Sequence, residues 1–161
     1  MDLSKCRSLL ASGDAGERLM AAERLCLAGP EACVAAVELV RACGDDEPVA
    51  SQVVSALEEM GPPPASCGND LMALVDDGNA TVGYWAATLL GRLKDDGKVF
   101  QDDLAELLSA VTDLAVRQRI AWAMGEIGAD SPTAIEALSL AAKTGDDRLK
   151  RIATKAIAGV S

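Results

Sequence analysis

The side chains able to do chemistry in this chain of 161 residues fall into two groups, and the first is defined by a gap. There is no histidine. Without imidazole there is no histidine general base, no histidine-activated nucleophile and no histidine metal ligand, which removes most hydrolase, metalloprotease and non-haem iron chemistry. Five cysteines remain, Cys6, Cys26, Cys33, Cys43 and Cys67, all in the first half of the chain. Their number is odd, and no two have the two-residue spacing of a zinc knuckle or a redox site. Each lies in or beside an Ala/Leu-rich stretch where a free thiol packs as a small hydrophobe. They are expected to be buried structural thiols in a reducing compartment. No residue is assigned a catalytic or metal-binding role, and no cofactor is expected.

The second group could do recognition. The chain has only four aromatic residues, Tyr84, Trp85, Phe100 and Trp122. Three of them stand near Arg92, Arg119 and Glu126 in two short stretches. Trp, Tyr and Arg are the types most enriched at binding hot spots, because they join large contact area to directional hydrogen bonds. Charge narrows the partner. With 25 acidic against 15 basic side chains the net charge is −10, which repels nucleic-acid phosphates and anionic membrane surfaces. The charge is unevenly spread: from Ala42 to Gly91 there are eight acids and no Lys or Arg, whereas Lys143, Arg148, Lys150, Arg151 and Lys155 crowd the last stretch.

The elements that must position these residues follow from an internal repeat. Residues 82–93 align without a gap on residues 116–127 at a shift of 34. A shift of 33 upstream finds Val49, Val53, Leu57 and Met60, and a further 32 finds Ala21, Ala22 and Leu25. Downstream, a shift of 32 places Arg151, Ile152 and Ala153 on Arg119, Ile120 and Ala121. Each copy is preceded by an Asp- and Gly-rich turn: Gly13-Asp14, Gly44-Asp45-Asp46, Asp76 to Asn79, Thr112-Asp113 and Gly145-Asp146-Asp147. Asp or Asn before a helix accepts hydrogen bonds from the unpaired first-turn amides, and Gly lets the preceding helix end. The expected elements are ten helices in five antiparallel pairs: 2–11 with 14–28, 30–43 with 47–60, 68–75 with 79–93, 100–110 with 113–127, and 132–143 with 146–159. Pro62-Pro63-Pro64 interrupts the series as a stiff connection. No pair could bury its apolar face alone, so the pairs are expected to stack into one domain over residues 1–161 as an all-α, right-handed α-solenoid. No apolar run approaches the roughly 20 residues that span a bilayer, and the start lacks a leader pattern, so a cytoplasmic, soluble chain is expected.

On a helical wheel of about 100° per residue, Val82, Ala86, Leu89, Leu90 and Leu93 share one arc, with Tyr84, Thr88 and Arg92 opposite and Trp85 at the border. In the next copy Gln118, Trp122 and Glu126 point away from the core arc, with Arg119 at its edge. Tyr84, Trp85, Arg92, Arg119, Trp122 and Glu126 therefore form the candidate partner-binding set. Packing between repeats is the competing explanation, strongest for Trp85.

At these residues the chain resembles the HEAT-repeat family, in particular its short form named after the phycobilisome lyases. The pattern is an Asp turn, then Val-Arg, two small residues and a Leu-Gly ending. Asp113, Val116, Arg117, Ala121, Met124 and Gly125 carry it best; the third copy has Asp77, Val82, Ala86, Ala87, Leu90 and Gly91, with Gly83 where the family usually has Arg. The resemblance implies a scaffold that binds a protein partner on the concave face lined by the second helix of each pair, without catalysis. Relatives of this family that hydroxylate need histidine, and those that excise DNA bases need a basic groove, and this sequence has neither. The alternative is a bilin-lyase-like or small-ligand-binding HEAT protein, which would need an enclosed apolar cavity beside a reactive group such as a cysteine. The chain is expected to be a monomer, or to associate weakly end to end.

Overall fold

The structure is a computed structural model describing residues 1–160. Ten α-helices run α1 (Leu3–Ser12), α2 (Ala15–Ala28), α3 (Ala36–Ala42), α4 (Glu47–Glu59), α5 (Gly68–Val75), α6 (Ala80–Arg92), α7 (Gln101–Ala110), α8 (Leu114–Glu126), α9 (Pro132–Thr144) and α10 (Asp147–Ala158). The turn chemistry works as the sequence implies. Asp113 accepts from the Val116 amide at 3.0 Å, Asp146 from the Leu149 amide at 2.7 Å, and Asn79 from the amides of Thr81 and Val82. Asp14 and Glu17 close a reciprocal capping box, each side chain accepting from the other's backbone at 2.9 Å. Such caps satisfy donors that the first helical turn leaves open. Asp46 precedes α4 but its side chain makes no cap bond. Its neighbour Asp45 instead takes both Nε and Nη2 of Arg18, at 2.8 and 3.0 Å, joining the second repeat to the first.

One predicted helix is shorter than expected. Residues 30–43 divide into a 3-10 segment over Gly29–Ala35 and the brief α3. Gly29 takes φ 55°, a left-handed value that glycine adopts freely, and the ring of Pro30 fixes its own φ at the first turn. The chain thus enters in tight turns before widening into α geometry. A short 3-10 segment, Ala65–Cys67, precedes α5, and a longer one, Lys94–Phe100, joins α6 to α7. It is stapled to the following repeat by ion pairs from Lys94 to Glu126 and from Lys98 to Asp130, and by Gln101, whose side-chain oxygen accepts from the amides of Asp130 and Ser131.

The helices gather into two compact units, Met1–Asp70 and the residues from Leu71 onward, with the boundary inside α5 and shortly after Pro62-Pro63-Pro64. In the first unit α2 packs on α1 and α4 over fully buried Ala21, Ala22, Leu25, Val53 and Leu57. In the second, α6 packs on α8 and α8 on α10, while α7 and α9 back them. Leu89, Leu90, Ile120 and Met124 are fully buried there, each such side chain contributing about 1.5–3 kcal/mol by leaving water. The wide use of Ala at the contacts lets the helix axes come close. Glycine does so where even a methyl is too large. A Cβ on Gly83 would stand 2.5 Å from the Val75 carbonyl oxygen, so the residue at this position cannot be the arginine found in the fourth copy.

The last copy corrects the sequence alignment by one residue. The cap residues Asp113 and Asp146 and the buried pairs Val116 and Leu149, Ile120 and Ala153, and Ala123 and Ala156 all correspond at a shift of 33, not 32. Ile152, not Arg151, therefore occupies the place of Arg119. The cysteines are also less uniform than expected. Cys6 and Cys43 are buried, while Cys26 on α2 and Cys33 and Cys67 in 3-10 segments are only half-buried. Burial pushes the Cys43 thiol up to about 12. Among the described residues no helix is long and apolar enough to cross a membrane.

Candidate functional site

The second helices of the last three pairs, α6, α8 and α10, present one face on which the recognition residues meet. Arg119, near the middle of α8, is clasped between two rings: its guanidinium carbon lies 4.3 Å from the Tyr84 ring centroid and 4.7 Å from that of Trp122. It also donates to the Tyr84 hydroxyl through Nη2. A cation held over aromatic faces is attracted by the ring quadrupole, and the planar guanidinium stacks there without giving up its hydrogen-bonding edge. The neighbouring copy repeats the theme, with Arg92 lying 5.8 Å from the Trp85 centroid and Tyr84 set edge-on to Trp85 at 82°. Burial first, and then the positive charge of Arg119, hold the Arg92 guanidinium below its usual value.

Two depressions adjoin at Trp122. The first is lined by Tyr84, Gln118, Arg119, Trp122, Arg148 and Ile152, with Ala115 at its rim. The second, of about 320 Å³, has a floor of Ala121, Gly125, Ile152 and Ala156, with Glu126 and Lys155 at its edges. The Trp122 ring and Ile152 belong to both. Trp122 lies against α6 because Gly91 has no side chain: a Cβ there would be 2.6 Å from the ring and 3.1 Å from the Ala123 Cα. Asp146 accepts from Nε2 of Gln118, a lining residue of the first depression, at 2.9 Å as well as from the Leu149 amide. Among the described residues neither Arg119 nor Arg148 forms an ion pair.

A family described as HEAT repeats matches residues 68–158, more than half of the chain. The chain belongs to the HEAT-repeat family. No curated protein matches it. Among solved structures, a designed armadillo repeat protein in complex with the peptide (KR)4 is similar over 99% of this HEAT-repeat chain and 82% of its own, with 17% identity and a TM-score of 0.66. A second designed armadillo repeat protein is similar over 99% of this chain and all of its own, with 14% identity and a TM-score of 0.50. At those identities the likeness is one of fold: all-α repeats of the solenoid class.

The HEAT register explains where the six sequence-selected residues fall. Tyr84, Arg119 and Trp122 come together, half-buried, at the first depression. Arg92 is half-buried over Trp85, which is itself 8% exposed. Glu126 pairs with Lys94 and edges the second depression. The wheel placed Thr88 on an open face beside Tyr84 and Arg92, but it is 5% exposed and its hydroxyl donates to the Tyr84 carbonyl at 2.7 Å. A wheel allots each helix a single solvent side, whereas α6 is covered round most of its circumference. Gln118 as a lining residue, and Arg148 and Ile152 on α10, were missed. The last two emerge only once the fifth copy is read in its corrected register.

Proposed function

We propose that this chain is a non-enzymatic protein-interaction scaffold that takes a segment of its partner across α6, α8 and α10, with Tyr84, Arg119 and Trp122 as anchors. The observation that carries this reading is the pair of depressions sharing Trp122, one lined by two arginines and the other mainly apolar, with Arg119 lying close to the Tyr84 and Trp122 rings. A half-buried ring flanked by contacts that exclude water is the setting in which hot spots occur. The fold supports the same use, since a solved armadillo repeat protein is in complex with a peptide. Trp85 and Arg92 are read as the shelf that holds Tyr84 in place, and Glu126 as a rim residue. The lyase-like alternative asks for an apolar cavity beside a cysteine, and neither of the two depressions is lined by one.

The test is selection of a random peptide library on the purified protein, followed by affinity measurement of the enriched peptides against the double variant Tyr84→Ala, Trp122→Ala. Loss of at least about 2 kcal/mol, the size of a hot-spot truncation, is expected with helical content unchanged. Enriched peptides that bind the double variant as tightly as the parent would remove this face from consideration.

A further inference from the structure

Resting on that reading of the face, we infer that its partner segment is acidic, offering a carboxylate to Arg119 and Arg148 with a bulky apolar side chain close by in sequence for the depression beyond Trp122. The inference comes from a local reversal of charge. The chain carries −10 overall, yet the first depression is lined by two arginines from different helices and by no acid. Asp146, beside it, already accepts from Gln118 and from the Leu149 amide. Among the described residues neither Arg119 nor Arg148 is in an ion pair.

The arrangement at Arg119 suits a carboxylate in particular. Its guanidinium carbon lies within 4.7 Å of the Tyr84 and Trp122 ring centroids and Nη2 donates to the Tyr84 hydroxyl, which tethers the group through one of its several N–H donors. A planar acceptor bonded along the edge of a stacked guanidinium gains directional, charge-assisted hydrogen bonds. Arg148, exposed on α10, supplies a second cation to the same depression from a different helix. Like-charge pressure is already present in this region, since Arg119 lowers the affinity of Arg92 for its proton. Across the Trp122 ring the second depression is different: its floor is alanine, glycine and isoleucine, and its two charges, Glu126 and Lys155, are of opposite sign. An apolar group fits there, and in an extended segment residues i and i+2 project to the same side, so an acid and an apolar residue two positions apart address the two depressions together. A polyanion such as nucleic acid fits poorly, because one pair of arginines faces a protein whose remaining charge repels it.

The experiment uses the full chain and three short fluorescein-labelled peptides with Ser at every second position, in which the remaining positions alternate Glu with Leu, Gln with Leu, or Lys with Leu, so that both groups share one side of the extended chain. Fluorescence anisotropy is expected to rank the Glu peptide first, with the Gln peptide about ten-fold weaker for the loss of a charge-assisted hydrogen bond and the Lys peptide weaker still. The double variant Arg119→Gln, Arg148→Gln should erase the preference for Glu over Gln. Arg151→Gln, on the same helix and outside both depressions, should leave it within about two-fold, because salt screens a remote surface charge. The charge reversal Arg119→Glu, Arg148→Glu should transfer the preference to the Lys peptide. Equal binding of Glu and Gln peptides, or tighter binding of Lys, with affinity still lost on Trp122→Ala, overturns the acidic segment and leaves the binding face standing. Absence of binding by all three peptides, or tighter binding of a single-stranded oligonucleotide dependent on Arg119, also overturns it. If library-selected peptides also ignore Trp122, the face itself fails.

Discussion

Gly91→Ala tests the packing that sets Trp122 in place. An alanine Cβ would stand 2.6 Å from the Trp122 ring and 3.1 Å from the Ala123 Cα, closer than van der Waals contact allows. Alanine is favoured over glycine within a helix by about 1 kcal/mol, and overpacking a dense contact costs about 1–3 kcal/mol. Because one of the two obstructing groups is backbone and the other is a ring pinned by Arg119, relief is limited, and the cost should exceed the gain by about 1 kcal/mol. Gly125→Ala is the matched control: its Cβ would meet Ala156 at 3.2 Å in an exposed position, so the helix preference should roughly cancel the crowding. Both tryptophans lie in the unit that begins at Leu71, so urea unfolding followed by tryptophan emission reports on that unit. The expected result is a lower midpoint for Gly91→Ala, an unchanged one for Gly125→Ala, and greater acrylamide quenching in Gly91→Ala as Trp122 is pushed toward water. If Gly91→Ala were instead stabilised, with its quenching unaltered, the close approach of α6 and α8 would be refuted.

Other perturbations address the caps, the links between repeats and a buried thiol. Asp113→Ala should cost about 1 kcal/mol through its lost cap bond, whereas Asp46→Ala, at a cap without a side-chain bond, should change thermal stability by no more than about 0.5 kcal/mol. Arg18→Met should destabilise the first unit by about 1 kcal/mol, and Asp45→Asn by less; calorimetry would read both, and no effect from either would make the junction a surface contact alone. Cys43 contributes alkaline sensitivity. Its folded thiol titrates at about 12 against an ordinary 9.0, so the folded state prefers the protonated form. That contribution is complete below pH 9 and is forfeited as pH rises toward 12, of the order of 4 kcal/mol in all. Cys43→Ala should flatten the fall in stability over that window, and an unchanged alkaline profile would argue against the burial.

The helices and their junctions were legible because each boundary is written in local chemistry: Asp14, Asn79, Asp113 and Asp146 all cap where the turn pattern places them. The division of 30–43 was not, since Ala and Val permit either helix form and only the geometry at Gly29 and Pro30 decides. For the site, the repeat shift places Tyr84 and Arg119 on the outer faces of two adjacent helices from the residue pattern alone. Arg148 and Ile152 stayed hidden because α10 keeps the cap and the buried spacing of its predecessors while losing their residue types, and a one-residue slip rotates a helix by about 100°. The burial of Trp85 and Thr88 depends on what surrounds α6, which no single-helix projection contains.

Trp122 and Ile152 line both depressions, and the consequence of that sharing is thermodynamic. A ligand group that draws Arg119 toward itself loosens the clasp on Trp122, and a group seated beyond Trp122 presses the ring back toward Arg119. The two halves of a bound segment then do not act independently, so their separate free energies will not sum to that of the whole. A double-mutant cycle between Arg119 and Ile152, run with a segment that fills both depressions, would yield a non-zero coupling between residues on different helices. Selectivity would follow from the conjunction of charge and apolar bulk in one ligand, and a segment carrying only one of the two would be discriminated against by more than the contact it lacks.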